Sequence, residues 1–211
     1  MQPSESFSFA LRDNLIIWHS GEISKANFLD RDEVVQTARL LVRRGEVVCA
    51  LCSGALTVHG SYRRHCRDEG GERHNGWIAQ GHCCACKVYP ALTPSFIKPH
   101  KHYKADVIEQ VVKEAEDGDN FENSGGCAAD ASTMRRWVGE FKERGEQAVV
   151  CLISKLPTAH KAHTDSHNLR NMTLLRQIAW LLREYEYTLP ESGGIIGTAN
   201  IILTTRNCGF L

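Results

Sequence analysis

The chain has no run of about eighteen apolar residues, so no helix is expected to span a membrane. Its first residues, Met1-Gln-Pro-Ser-Glu-Ser, lack the basic stretch and apolar core of a secretory signal, so the protein is expected inside the cell, in the cytoplasm. Net charge is also missing: 25 Lys and Arg offset 25 Asp and Glu, which on bulk charge alone argues against a strong nucleic-acid binder. At 211 residues, 42% hydrophobic and 24% charged, the composition is that of globular material with one or two cores. Cysteine is plentiful. There are nine, an odd number, and their clustering with histidines in a reducing compartment favours metal over disulfides.

Four of them form two close pairs, Cys49-Ala-Leu-Cys52 and Cys83-Cys84-Ala-Cys86. Two residues between thiols let both sulfurs of a pair turn onto one tetrahedral Zn²⁺, and two such pairs complete a Cys₄ site. Ser53-Gly54 after the first pair and Lys87 after the second suit the tight turns such a site needs. The gap, residues 53–82, is longer than the roughly 15–20 residues of a usual ribbon finger. It divides into strand-like Ala55-Leu-Thr-Val58 and Trp77-Ile-Ala-Gln80 around a polar turn, Arg67 to His74, which predicts a two-stranded ribbon. Cys66, His65, His74 and His82 could replace a ligand or bind a second ion, and four buried structural cysteines is the competing reading. Cys127, Cys151 and Cys208 stand singly among apolar residues and are expected in the core.

Charge is unevenly spread. Arg43 to Arg67 holds five arginines (Arg43, Arg44, Arg63, Arg64, Arg67) against Glu46, and Cys83 to Lys104 holds four lysines and no acid. Asp106 to Glu122 carries seven acids and one lysine. The cysteine region is a basic island in a neutral chain.

Around it, Phe7-Ser-Phe9 and Leu15-Ile-Ile-Trp18 suggest short strands. Asp30 and Glu33 predict the start of a helix with Val34, Val35, Ala38, Leu41 and Val42 on one face and Gly45 as its stop. Tyr89-Pro90, Thr93-Pro94 and Lys98-Pro99 predict an extended connector. A helix follows from about Lys104 to Asp117-Gly118, then a brief one between Asn120 and Asp130. A third is capped by Ser132, carries Met134, Trp137, Val138 and Phe141 as its core stripe, and ends at Gly145. Its first turn leaves Thr133, Arg135 and Arg136 outward. Two helices and a short turn with arginines there is how a recognition helix enters a major groove, although a solvated face has the same pattern. His160, His163 and His167 read as linker residues. A long helix is expected from Ser166, with Leu169 to Tyr185 inward, and the segment after Gly193-Gly194 fits helix or strand.

The run Cys49-Ala-Leu-Cys52, Leu56-Thr-Val-His59-Gly60-Ser-Tyr62-Arg63-Arg64, Cys83-x-x-Cys86, Leu92-Thr-Pro-Ser-Phe96-Ile-Lys-Pro99, Tyr103 and Ser132-Thr-Met-Arg135-Arg136-Trp137 resembles the zinc-ribbon plus helix-turn-helix region at the N-termini of insertion-sequence transposases. Short bacterial proteins of unknown function carry the same region. The likeness covers about residues 40–145. It implies that Cys49, Cys52, Cys83 and Cys86 hold zinc, that Ser132, Thr133, Arg135 and Arg136 approach DNA, and that Arg63 and Arg64 contact phosphate. A transposase also needs carboxylates holding metal on an alternating α/β domain. The 65 residues after 146 are too few for one, and His100-Lys-His102-Tyr103 is a poor nuclease motif.

The expected fold is α+β, mainly α: an N-terminal segment (1–45), a zinc ribbon with its connector (46–99), a helix-turn-helix (100–146) and C-terminal helices (147–211). The expected function is zinc-dependent, sequence-specific binding of double-stranded DNA without catalysis, as a regulator or transposon-related accessory protein. A zinc-ribbon adaptor for a protein partner and a metal-dependent nuclease are the alternatives. The C-terminal helices could serve a homodimer or a protein partner.

Overall fold

A computed structural model describes residues 15–18, 27–98, 101–123, 127–156, 169–184 and 194–204. Its elements in order are β1 (Leu15–Trp18), α1 (Arg31–Arg43), β2 (Leu56–Arg67), β3 (Arg73–Cys83), β4 (Ala91–Pro94), α2 (Ala105–Asp117), α3 (Ala131–Lys155), α4 (Leu174–Glu184) and α5 (Gly194–Thr204). The fold is α+β. Among the described residues no helix is long and apolar enough to cross a membrane.

The strands form one sheet in the order β1-β4-β3-β2, with β1 parallel to β4 and the other pairs antiparallel. The β2–β3 hairpin dominates it, pairing Leu56 with Cys83 at one end and Arg67 with Arg73 at the other. Both strands extend well beyond the predicted segments, because Tyr62-Arg-Arg-His-Cys66 is mostly polar, with Cys66 the one buried residue of the five, and so lacks the apolar alternation that marks a strand. The proline-bearing connector is extended as expected, and its Ala91–Pro94 is a strand of the sheet.

Helix α1 starts where Asp30 accepts from the N–H groups of Asp32 (2.8 Å) and Glu33 (3.1 Å). It stops where Gly45, at φ 72°, lets its own N–H reach the Val42 carbonyl and the Glu46 N–H reach Leu41. Its buried stripe, Val34, Ala38 and Leu41, joins Phe28, Ile78, Leu92, Phe96 and Ile97 in one core. Phe28 lies on the backbone of Gly76, where a Cβ would come within 1.9 Å of its ring, and meets Phe96 edge-on at 5.6 Å. Gly76→Ala is therefore expected to lower the melting temperature, destabilising by about 1–3 kcal/mol through displacement of Phe28. An unchanged melt would show that the ring has room to move.

A second core gathers α2, α3, α4 and α5 around Trp137, Phe141, Leu152 and Ile178. Cys127 and Cys151 pack against its edge, while Cys208 lies outside the described residues, as do Phe7-Ser-Phe9, His160, His163 and His167. Three expectations need correction here. Asp130, not Ser132, caps α3. Gly145 does not end that helix, which runs on to Lys155: a Cβ at 145 would come within 2.4 Å of Leu174, so the glycine is where α4 crosses. Helix α4 begins at Leu174, with the N–H groups of Leu174 and Leu175 donating to Glu116. Among the described residues between Asn120 and Asp130, the expected brief helix is one 3₁₀ turn, Phe121–Asn123. The C-terminal segment is a helix rather than a strand.

The cores meet at a polar junction. Lys98 is fully buried, and its Nζ donates to the Ile196 carbonyl of α5 at 3.2 Å. Glu109 on α2 accepts from the Ile196 N–H at 3.0 Å.

Candidate metal centre

The two cysteine pairs sit at the end of the hairpin nearest the chain's entry and exit. Each is built the same way. The Cys49 N–H donates to the Gly54 carbonyl and the Ser53 N–H to the Cys49 carbonyl; the Cys83 N–H donates to the Val88 carbonyl and the Lys87 N–H to the Cys83 carbonyl. Ser53 (φ 55°) and Lys87 (φ 62°) take the left-handed conformation that folds each loop back, a strained state for residues with a Cβ. Gly54 follows because a Cβ there would crowd the Cys52 sulfur at 3.1 Å and the Cys83 sulfur at 3.4 Å.

Two equivalent loops bring four sulfurs within 4.8 Å of one another. The Cys49–Cys86, Cys52–Cys83 and Cys52–Cys86 separations are each 3.5 Å. An ion bound tetrahedrally at about 2.3 Å from each sulfur needs sulfurs about 3.8 Å apart, so the donor set fits a four-thiolate metal centre. Cys49 and Cys83 belong to the core behind the sheet, and Cys52 faces solvent. Backbone N–H groups of Gly54 and Val88 point at the sulfurs of Cys52 and Cys86, and those of Cys86 and Ala85 at Cys83. These donors stabilise thiolate charge. The Cys83 thiol is lowered to about 6, first by the Cys86 N–H, while burial and then the Cys49 thiol push Cys86 up to about 12. An ion would take all four as thiolates and release their protons.

The other nearby donors stay out of this cluster. His82 packs on Tyr89 at 4.7 Å between ring centres. Cys66 pairs across the hairpin with His74, ten residues along β2 from Leu56 and so about 30 Å away. His74 Nε2 bonds Asp68 at 2.6 Å, and Asp68 also accepts the Glu72 N–H, bracing the hairpin turn.

The far half of the ribbon carries the charge. Arg63 and Arg31 lie over the Trp77 ring at 5.1 and 5.8 Å. Arg73 Nη2 donates to His65 Nδ1 at 3.4 Å, and His65 stacks on His102 at 4.6 Å. Arg64 is half-buried and donates to the Lys98 carbonyl at 2.5 Å, so much of its donor capacity is spent inside the fold.

The first turn of α3 is similarly committed. The Ser132 and Thr133 hydroxyls both donate to Asp130. Arg135 donates twice to Glu122, at 2.6 and 2.7 Å, and Arg136 stands exposed, 4.0 Å from Glu140. Residues 118–130 join α2 to α3, a longer link than the 3–4 residue turn of a helix-turn-helix motif. Arg31 and Arg73 were missed in the sequence because neither belongs to a motif: the hairpin register brings Arg73 opposite Arg67, and the start of α1 brings Arg31 onto Ser61 and the Trp77 ring.

No curated protein and no solved structure matches the chain. Residues 49–137, which open on the first cysteine of the cluster and close on the buried Trp137, match the family model described as a domain of unknown function, DUF6431.

Proposed function

We propose that the protein is a zinc-ordered DNA-binding module without catalytic activity, in which the Cys₄ centre fixes one end of the β2–β3 ribbon and the ribbon's far half grips duplex phosphates. The zinc-ribbon reading is supported by the paired loops, and zinc by four thiolate donors in a closed site. The observation that carries the DNA reading is the strip of Arg63, His65, Arg73 and Asn75 on the ribbon, with Arg31 added from the start of α1; Trp77 steadies Arg31 and Arg63, and the His65–His102 stack steadies the middle. Arg136 at the start of α3 is the best-placed helical contact, since Arg135 is engaged by Glu122 and the neighbouring hydroxyls by Asp130. The transposase-like kinship and a helix-turn-helix role for α2 and α3 belong to the same proposal, as does sequence specificity.

Binding of this kind weakens steeply with salt as counterions are released. Replacing Arg63 and Arg73 together by alanine is expected to lower duplex affinity at least tenfold and to reduce the salt slope by about 2, near 0.9 per phosphate contact. Anisotropy of a labelled duplex across a salt series measures both. Wild-type binding that ignores salt, or no binding, would overturn the proposal.

A protein partner is the second reading, favoured by Val48, Leu51 and Tyr89, which are 41%, 48% and 46% exposed around the metal loops. Leu51→Asp would weaken that partner and leave duplex binding unchanged.

A further inference from the structure

One concavity on the ribbon has a composition that a duplex backbone does not fully use. It is an open groove of about 280 Å³ lined by Arg63, Arg64, His65, Arg73 and Asn75, with no acid in its wall. The hairpin register explains the convergence: His65 lies opposite Asn75 and Arg63 opposite Trp77, with Arg73, opposite Arg67, two pairs further toward the turn and so on the same face. Arg63 is steadied by the Trp77 ring and Arg73 by its bond to His65 Nδ1. With Nδ1 accepting, the His65 proton sits on Nε2, and stacking on His102 fixes the ring plane. The groups facing His65 are all basic: Arg64, Arg67 and Arg73 from the hairpin and His102 from the segment after β4. Burial and then these neighbours hold the imidazole below its usual pKa, as expected where positive charge is already crowded.

A phosphodiester within a strand carries one negative charge and leaves by ester bonds on both sides. A phosphate monoester has three free oxygens and up to two charges, which matches a pocket of converging guanidinium, imidazole and amide donors. The volume, roughly nine waters' worth, takes a phosphate with its attached sugar. The geometry points to a binding site for a phosphate monoester in the Arg63–His65–Arg73–Asn75 pocket, supplied by the 5′-phosphorylated end of a nucleic-acid strand. This rests on the DNA reading for the source of the monoester and on the pocket alone for its chemistry.

The test uses the zinc-loaded full chain and four probes: a short duplex with 5′-phosphates, the same duplex with 5′-hydroxyls, a nucleoside 5′-monophosphate and inorganic phosphate. The phosphorylated duplex is expected to bind about tenfold more tightly than the hydroxyl one, as one additional charge-assisted contact set would give. Arg73→Ala and Asn75→Asp, each checked for an unchanged melt and metal content, should bring that ratio to one. Titration of His65 by NMR should move upward when the monoester binds. Equal binding of the two duplexes, with no binding of the nucleotide or of phosphate, overturns the monoester site while leaving the DNA proposal standing. Binding of the nucleotide with neither duplex bound upholds the pocket's chemistry, moves its source to a small molecule, and overturns the DNA proposal instead.

Discussion

Serine in place of Cys83 is expected to abolish metal binding and to melt the ribbon while the helical core survives. Cys83 is fully buried, sits at the last residue of β3, and has the backbone N–H groups of Cys86 and Ala85 pointing at its sulfur. Serine offers a poor ligand and leaves a hydroxyl among apolar side chains. Structural zinc in small domains supplies on the order of 10–16 kcal/mol, a large share of what holds a small four-stranded sheet on one helix. The second core, around Trp137 and Phe141, contains none of the four ligands. Circular dichroism should therefore show strand signal lost and helical signal largely kept, with melting split into two steps. Acid should do the same to the native chain: protons compete with the ion for the thiolates, so metal is held at neutral pH and released as the medium is acidified. A C83S chain that melts like the wild type would mean the sulfurs are only core packing.

The second large effect concerns Lys98. An unfolded lysine keeps its proton to about pH 10.4, whereas burial lowers Lys98 to about 7. Between those values the unfolded chain binds the extra proton, so stability rises as pH rises through the window. From pH 7 to pH 9 the gain is about 2 kcal/mol, read by urea unfolding of the metal-loaded chain. Glu109 works in the opposite sense. Its carboxyl is raised, chiefly by burial, so its contribution is present below the unfolded carboxylate pKa and is lost as pH rises through the folded one. Lys98→Met keeps the length and apolar stem of the side chain, and should flatten the rise above pH 7. A K98M chain with the same rise would place the titrating group elsewhere.

How far the sequence could be read follows physical lines. The cysteine spacing and the Ser53 and Lys87 turns were legible because a tetrahedral ion imposes a local pattern. The same is true of α1 and α2, each bounded by a glycine and carrying a single apolar stripe. Gly145 misled because its role depends on Leu174, a contact across the helical core that periodicity does not carry. Lys98 reads as a charged residue in a proline-rich connector, and its burial arises only once α5 packs over it. Thr133, Arg135 and Arg136 look outward on a helical wheel, but Asp130 and Glu122 engage two of them. The strip of Arg31, Arg63 and Arg73 draws on three elements, α1, β2 and β3, so no linear motif announces it.

The most direct test is duplex binding by the full chain before chelation, after chelation and after zinc is returned, followed by fluorescence anisotropy at fixed salt. Affinity that vanishes with the ion and recovers with it is the expected result. Equal affinity in all three states would sever the four sulfurs from the basic strip and contradict the account.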